Sequence, residues 1–166
     1  IGNTLTKISL VNNKKFIIDK TFCFKSSEIL SKKLLSRNLK RIFNNKFLHK
    51  VAIFSSVSQK YESAMKNFFK VNYKIKIIEI KKSPIQNLIK INIKNKKQVG
   101  SDRIANAIGA FKKYKANCII LDFGTATTFD VVTKDGFYNG GVIAPGVSLS
   151  IKSLISSADQ IPKFVL

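Results

Sequence analysis

The chain has no tryptophan, one histidine, two cysteines and three prolines in 166 residues, and each scarcity removes a class of function. With His49 as the sole histidine, a histidine-based triad or a zinc centre lacks the material it needs. Cys23 and Cys118 have no second cysteine or histidine at metal-ligand spacing. Both lie in apolar stretches and are expected to be buried thiols of a reducing compartment, which points to the cytoplasm. No apolar run is long enough to span a membrane, and Ile1-Gly2-Asn3-Thr4 lacks the basic leader of a secretory signal. Met65 is the only methionine, so the chain is expected to start inside a longer protein or after processing. The pattern GxxxxGK[ST] is missing, which excludes a P-loop enzyme.

Acidic residues are also few: nine against thirty Lys and Arg, for a net charge of +21. Such an excess invites a nucleic-acid reading, since clustered cations neutralise phosphates. Its distribution argues otherwise. Residues 100–166 carry about +2, and the remaining +19 is scattered through residues 1–99 beside Ile and Asn. Few aromatics interleave with it as a stacking platform requires. A compositional bias toward Lys, Asn and Ile accounts for the charge, and no nucleic-acid partner is expected. What is plentiful is apolar: 45% of residues, enough for a packed core.

Residues 4–11 and 15–24 alternate as strands joined by the turn pair Asn12-Asn13, with Phe16, Ile18, Phe22 and Phe24 on one face. Ser26 or Ser27 is positioned to cap a helix running to about Asn44, with Leu30, Leu34 and the row Leu35, Leu39, Ile42 as its apolar stripe. Residues 50–54 read as a short buried strand, 58–70 as a helix and 75–80 as a strand. Beyond Pro84, residues 85–93 are ambiguous. Gly100 to Lys115 reads as a helix with Ile104, Ile108 and Phe111 on one side. Cys118 to Leu121 is a continuous apolar run, as in a central strand covered on both faces. Residues 126–132 and 137–143 read as a hairpin closed by Asp135-Gly136, followed by a helix to about Ser157. The order is that of an α/β domain followed by the beginning of another.

Three segments carry chemistry. Gly2-Asn3-Thr4 opens a strand and Asp122-Phe123-Gly124-Thr125-Ala126-Thr127-Thr128 follows one; in both, glycine admits an anion close to the backbone and hydroxyls can donate to it. Asp122 stands at the carboxyl end of a strand, where ligands gather in α/β sheets. Gly100-Ser101-Asp102-Arg103 opens a helix. Ser101 or Asp102 can serve there simply as a cap, or Asp102 can take a proton from an attacking alcohol while Arg103 and the helix N-terminus hold anionic groups. In Gly140-Gly141-Val142-Ile143-Ala144-Pro145-Gly146, paired glycines mark close approach of a backbone or ligand. Three of the nine acidic residues, Asp102, Asp122 and Asp130, lie within or close to these segments. Asp130 can serve the fold alone.

Together these segments resemble the type III pantothenate kinases. Ile1-Gly2-Asn3-Thr4 resembles that family's DxGNT. Ser55-Ser56-Val57 resembles its SSV, and Val99 to Arg103 with Asn106-Ala107 its VGADR…NA. Asp122 to Val131 follows its most characteristic run, and Gly140 to Gly146 its GGxIxPG. The resemblance implies the actin-like acetate and sugar kinase fold: two ribonuclease H-like domains, residues 1–115 and an incomplete second domain from 116 to 166. It implies ATP-dependent phosphorylation of pantothenate. Gly2, Asn3, Thr4, Gly124 and Thr125 would bind ATP, which brings Mg²⁺. Asp122 would hold a monovalent cation, K⁺ or NH₄⁺. Gly100, Ser101, Asp102 and Arg103 would line the pantothenate pocket, with Asp102 as proton acceptor. It also implies a homodimer of the full-length protein.

There are departures. The Asp that opens the family's first motif is missing, and Ser101 replaces an Ala. Ile93 and Lys96 stand near the places of a Tyr and a Pro in the substrate region. The 166-residue piece is expected to be inactive alone. A nucleic-acid-associated regulatory protein and a non-catalytic ATP-binding module of the same fold are the competing readings.

Overall fold

The structure is a computed structural model describing residues 1–12, 17–43, 51–82 and 84–157. Asn13, Phe16, Asn44 and His49, named above, lie outside the described residues, as do residues 15 and 50 at the starts of two expected strands. The chain forms two compact units, Ile1–Ser83 and Pro84–Leu166. The helix that opens at Ser101 belongs to the second, because it packs on that unit's sheet.

In the first unit, β1 (Leu5–Asn12) pairs antiparallel with β2 (Ile17–Lys25). Thr6, Ile8 and Leu10 stand opposite Phe24, Phe22 and Lys20, and this face meets the core. A bulge then intervenes: Val11 pairs with Ile18 and leaves Asp19 over. One extra residue turns the side-chain parity over. Ile18 therefore leaves the face it was expected to share and is 63% exposed. Cys23 alternates outward between Phe22 and Phe24, so the expected buried thiol is exposed.

A 3₁₀ segment, Ser26–Leu30, follows β2, and α1 begins at Lys32 rather than beside Ser26. Ser31, not Ser26 or Ser27, caps it: its Oγ accepts from the Leu34 N–H at 3.4 Å. Of the expected stripe, Leu35, Leu39 and Ile42 are buried while Leu30 is exposed. They pack with Ile29, Phe43, Met65, Phe69 and Ile75 into one cluster. Phe43 contacts Phe69 and Tyr73 edge-on, at centroid separations of 5.9 and 5.1 Å. The strand β3 (Val51–Phe54), α2 (Gln59–Tyr73) and the parallel strand β4 (Lys76–Glu79) complete the unit.

The second unit is a four-stranded sheet in the order β5-β8-β7-β6: β5 (Lys90–Ile91), β6 (Cys118–Phe123), β7 (Ala126–Val132) and β8 (Phe137–Pro145). The helix α3 (Ser101–Tyr114) buries Ser101, Ile104, Ala107 and Ile108, while α4 (Val147–Ser157) ends the described chain. Among the described residues β6 is an edge strand paired with β7 alone. Ile119 and Phe123 are 69% and 66% exposed, so the expectation of a central strand covered on both faces is corrected. An apolar run records what a strand tolerates, whereas the partners that cover it come from elsewhere in the chain.

Candidate active site

The first-unit motifs meet one another. Gly2 closes a tight turn, its N–H donating to Leu5 O at 3.0 Å. Ser26 anchors that turn from below, donating its Oγ to Gly2 O at 2.7 Å, with its N–H on Thr4 O at 2.9 Å. Asn3 and Thr4 are left exposed at the tip. The Ser55-Ser56-Val57 loop lies alongside, with the Val57 N–H on Ile1 O at 3.1 Å. Ser26 thus serves the turn and not a helix end, a role that no local pattern in the sequence announces.

The second-unit motifs converge on the α3 face of the sheet. Gly100 is the N-cap residue, so Ser101 and Asp102 stand inside the first turn rather than at the cap position. Ser101 is buried. Asp102 is exposed, and its Oδ1 folds back to accept from the Arg103 N–H at 2.9 Å. A Cβ at position 100 would lie 2.3 Å from that oxygen, so glycine makes room for the carboxylate. Negative charge there is favoured by the helix N-terminus.

One turn on, Asn106 Nδ2 donates to Asp122 Oδ2 at 2.8 Å, tying the helix to β6. Asp122 Oδ1 has no protein partner among the described residues. No cluster of three or more His, Cys, Asp or Glu among them could cage a metal. Asp122 Oδ1 is therefore open to a ligand from outside the protein.

Arg103 turns inward. Its Nε donates to Asp130 Oδ1 at 2.8 Å, and its Nη2 lies 2.6 Å from the same oxygen. Tyr138 Oη donates to that oxygen as well, at 2.6 Å. Asp130 is fully buried and Tyr138 is 1% exposed. Burial works against the arginine's charge, but the hydrogen bond and charge of Asp130 outweigh it and raise its affinity for a proton. Burial, reinforced by Asp130, likewise pushes the Tyr138 phenol well above the ordinary 10.0.

The glycine pair of β8 shapes the same corner. Gly140, at φ +90°, forms a bulge opposite Val131, and Ile93 packs against it. A Cβ on Gly141 would fall 1.8 Å from Phe129 O and 2.9 Å from Arg103 Nη2. The Gly124-Thr125 turn between β6 and β7 is held from the far end of β8, the Gly146 N–H reaching Thr125 O at 3.1 Å. Lys96 sits exposed on a 3₁₀ turn ahead of α3. Gly100 to Arg103, Asp122 and Asp130 are therefore brought together, and Gly124-Thr125 is fixed to the same sheet. Tyr138 and Asn106 had no functional role assigned from sequence; spacing along the chain does not reveal a partner eight residues away on the neighbouring strand or sixteen away between helix and strand.

A family model for type III pantothenate kinase matches residues 1–166. The chain belongs to the type III pantothenate kinase family. A type III pantothenate kinase of Pelagibacter ubique is 52% identical, over all of this chain and 65% of that protein. One from Desulforapulum autotrophicum is 35% identical, over 98% of this chain and 63% of that protein. The chain thus spans a little under two thirds of these relatives' length. A solved structure named for the Baf family of transcriptional activators, from Campylobacter jejuni, matches with a TM-score of 0.51 at 18% identity, covering 98% of this chain and 66% of the other. That likeness concerns the fold alone. Among the described residues no helix is long and apolar enough to cross a membrane.

Proposed function

We propose that this type III pantothenate kinase chain contributes the acceptor-activating part of an enzyme that transfers the γ-phosphate of ATP to pantothenate, giving 4′-phosphopantothenate at the start of coenzyme A synthesis. The observation that carries the reading is the pairing at the start of α3: an exposed carboxylate, Asp102, beside an arginine clamped from behind by a buried one, Asp130. Asp102 takes the proton of the attacking hydroxyl, an effect worth about 10²–10⁴-fold. Arg103, beside Gly100, binds the carboxylate end of pantothenate, while the buried Ser101 belongs to the wall of that pocket. ATP binding falls to Gly2-Asn3-Thr4 and Gly124-Thr125, where the Gly2 and Gly124 N–H groups close the turns and Asn3, Thr4 and Thr125 carry polar side chains toward phosphate. Mg²⁺ accompanies ATP, and a monovalent cation at Asp122 supplies further charge neutralisation. Positioning and electrostatics carry most of the rate, as in other phosphoryl transfers.

The superfamily reading belongs to the same proposal: an actin-like kinase of two ribonuclease H-like domains, active as a homodimer in the cytoplasm. The test is ADP release by the full-length enzyme with ATP and Mg²⁺, with and without pantothenate and K⁺. Release that requires both additions is expected. An enzyme that binds ATP yet shows no pantothenate-dependent release overturns the reading.

A further inference from the structure

Resting on that reading, we propose that Asp130, assisted by Tyr138, is a positioning residue that fixes the Arg103 guanidinium with its Nη1 edge toward the carboxylate of the acceptor.

Three donors, Arg103 Nε and Nη2 and Tyr138 Oη, crowd onto Asp130 Oδ1, while Oδ2 is buried without a hydrogen-bond partner. Nη2, although 2.6 Å from Oδ1, makes no hydrogen bond of acceptable geometry and is itself buried. Nη1 is then the remaining nitrogen. It has no protein partner among the described residues and is not among the buried unpaired atoms, so it faces solvent.

As a device for stability this arrangement is poor. A buried ion pair rarely outperforms well-packed apolar side chains, and an unpartnered buried oxygen is a further cost. As a device for orientation it is effective. A guanidinium gripped on one edge cannot swing, and its planar fork presents the opposite edge at a fixed angle. The 6.0 Å approach of Arg103 Cζ to the Tyr138 ring holds the plane as well. Gly141 completes it, since a Cβ there would press on Nη2. Asp130 reaches Arg103 from β7 and Tyr138 from β8, so the hairpin sets the aim of a helix residue.

The experiment compares the full-length enzyme with Asp130→Asn and Tyr138→Phe, measuring kcat and the KM for pantothenate and for ATP separately. A neutral amide keeps the shape of Asp130 and loses the charge. Pantothenate KM should rise about 10²-fold in Asp130→Asn and severalfold in Tyr138→Phe, with ATP KM within about twofold of the parent. Asp130→Glu should recover part of the loss. A folded Asp130→Asn enzyme with unchanged pantothenate KM overturns the proposal, as do equal rises in both KM values, which a purely structural role gives. If Asp130→Asn does not fold, the smaller selective effect in Tyr138→Phe decides. A second readout needs no turnover: the Nε–H resonance of ¹⁵N-labelled Arg103, identified by its loss in Arg103→Lys. It should be protected from solvent exchange in the parent and lose that protection in Asp130→Asn. A parent without pantothenate-dependent turnover refutes the kinase reading, and this resonance then decides whether Asp130 fixes Arg103.

Discussion

The two compact units solve the problem of a small core in different ways. The first gathers Leu35, Leu39, Phe43, Met65 and Phe69 into an apolar cluster with edge-on aromatic contacts. The second places an ion pair and a phenol at its centre and leaves Ile119, Leu121 and Phe123 of β6 exposed along one face. The first also carries more of the surplus positive charge, +15 against +6 for the second. A hydrophobic cluster is non-directional: it holds elements together without specifying an angle. A buried hydrogen-bonded network specifies angles at a cost in stability. The unit that carries Asp102, Arg103 and Asp122 is the one built on angles.

The sharpest break of this contrast is Asp102→Asn. Turnover should fall about 10²–10⁴-fold while ATP affinity is kept. ATP affinity falling in parallel would mean that Asp102 serves the fold. Next in size is Leu39→Ala, which empties part of the first cluster and should cost about 2–5 kcal/mol. The loss should appear in the hydrogen-exchange protection of residues 32–43 and spare residues 126–145. Equal losses in both segments would show that the units unfold as one. Gly141→Ala should do the reverse, lowering protection of the β7–β8 hairpin by about 1–3 kcal/mol through the clash with Phe129 O. The smallest effect treats the two units alike. Lys74 and Lys115 end α2 and α3 with φ of 53° and 48°, a region that suits glycine. Lys74→Gly and Lys115→Gly should each gain up to about 1 kcal/mol, read as a higher urea midpoint.

Alkaline titration adds a finer comparison. Tyr138 and Tyr73 both have phenol pKa values raised above 10.0, burial being the leading cause in each. The neutral form is then favoured by folding. Their stabilising effect is complete below pH 10 and is lost as pH rises through the folded-state values. Tyr138→Phe should remove the second unit's share of that loss and leave the first unit's unchanged, as read by hydrogen exchange in each segment.

Local patterns in the chain were enough for the order of the longer elements, though not for β5, which lies in the stretch 85–93 that they left ambiguous. The alternation of β1, the 35-39-42 row of α1, the Asp135-Gly136 hairpin and the start of α3 all describe neighbours within a few residues, where backbone geometry couples directly to side-chain period. They were also enough for the family, through five short motifs in order. Long-range partners decided the rest. A single extra residue at Asp19 sent Ile18 to the other face, and β6 stands at an edge because, among the described residues, β7 alone pairs with it. Ser26 was drawn to Gly2 across 24 residues, and Asp130 to Arg103 across 27. Periodicity can say which side of an element is apolar. It cannot say what will stand opposite, because register, bulges and buried polar pairs are settled only when distant segments compete for the same space and the same hydrogen bonds.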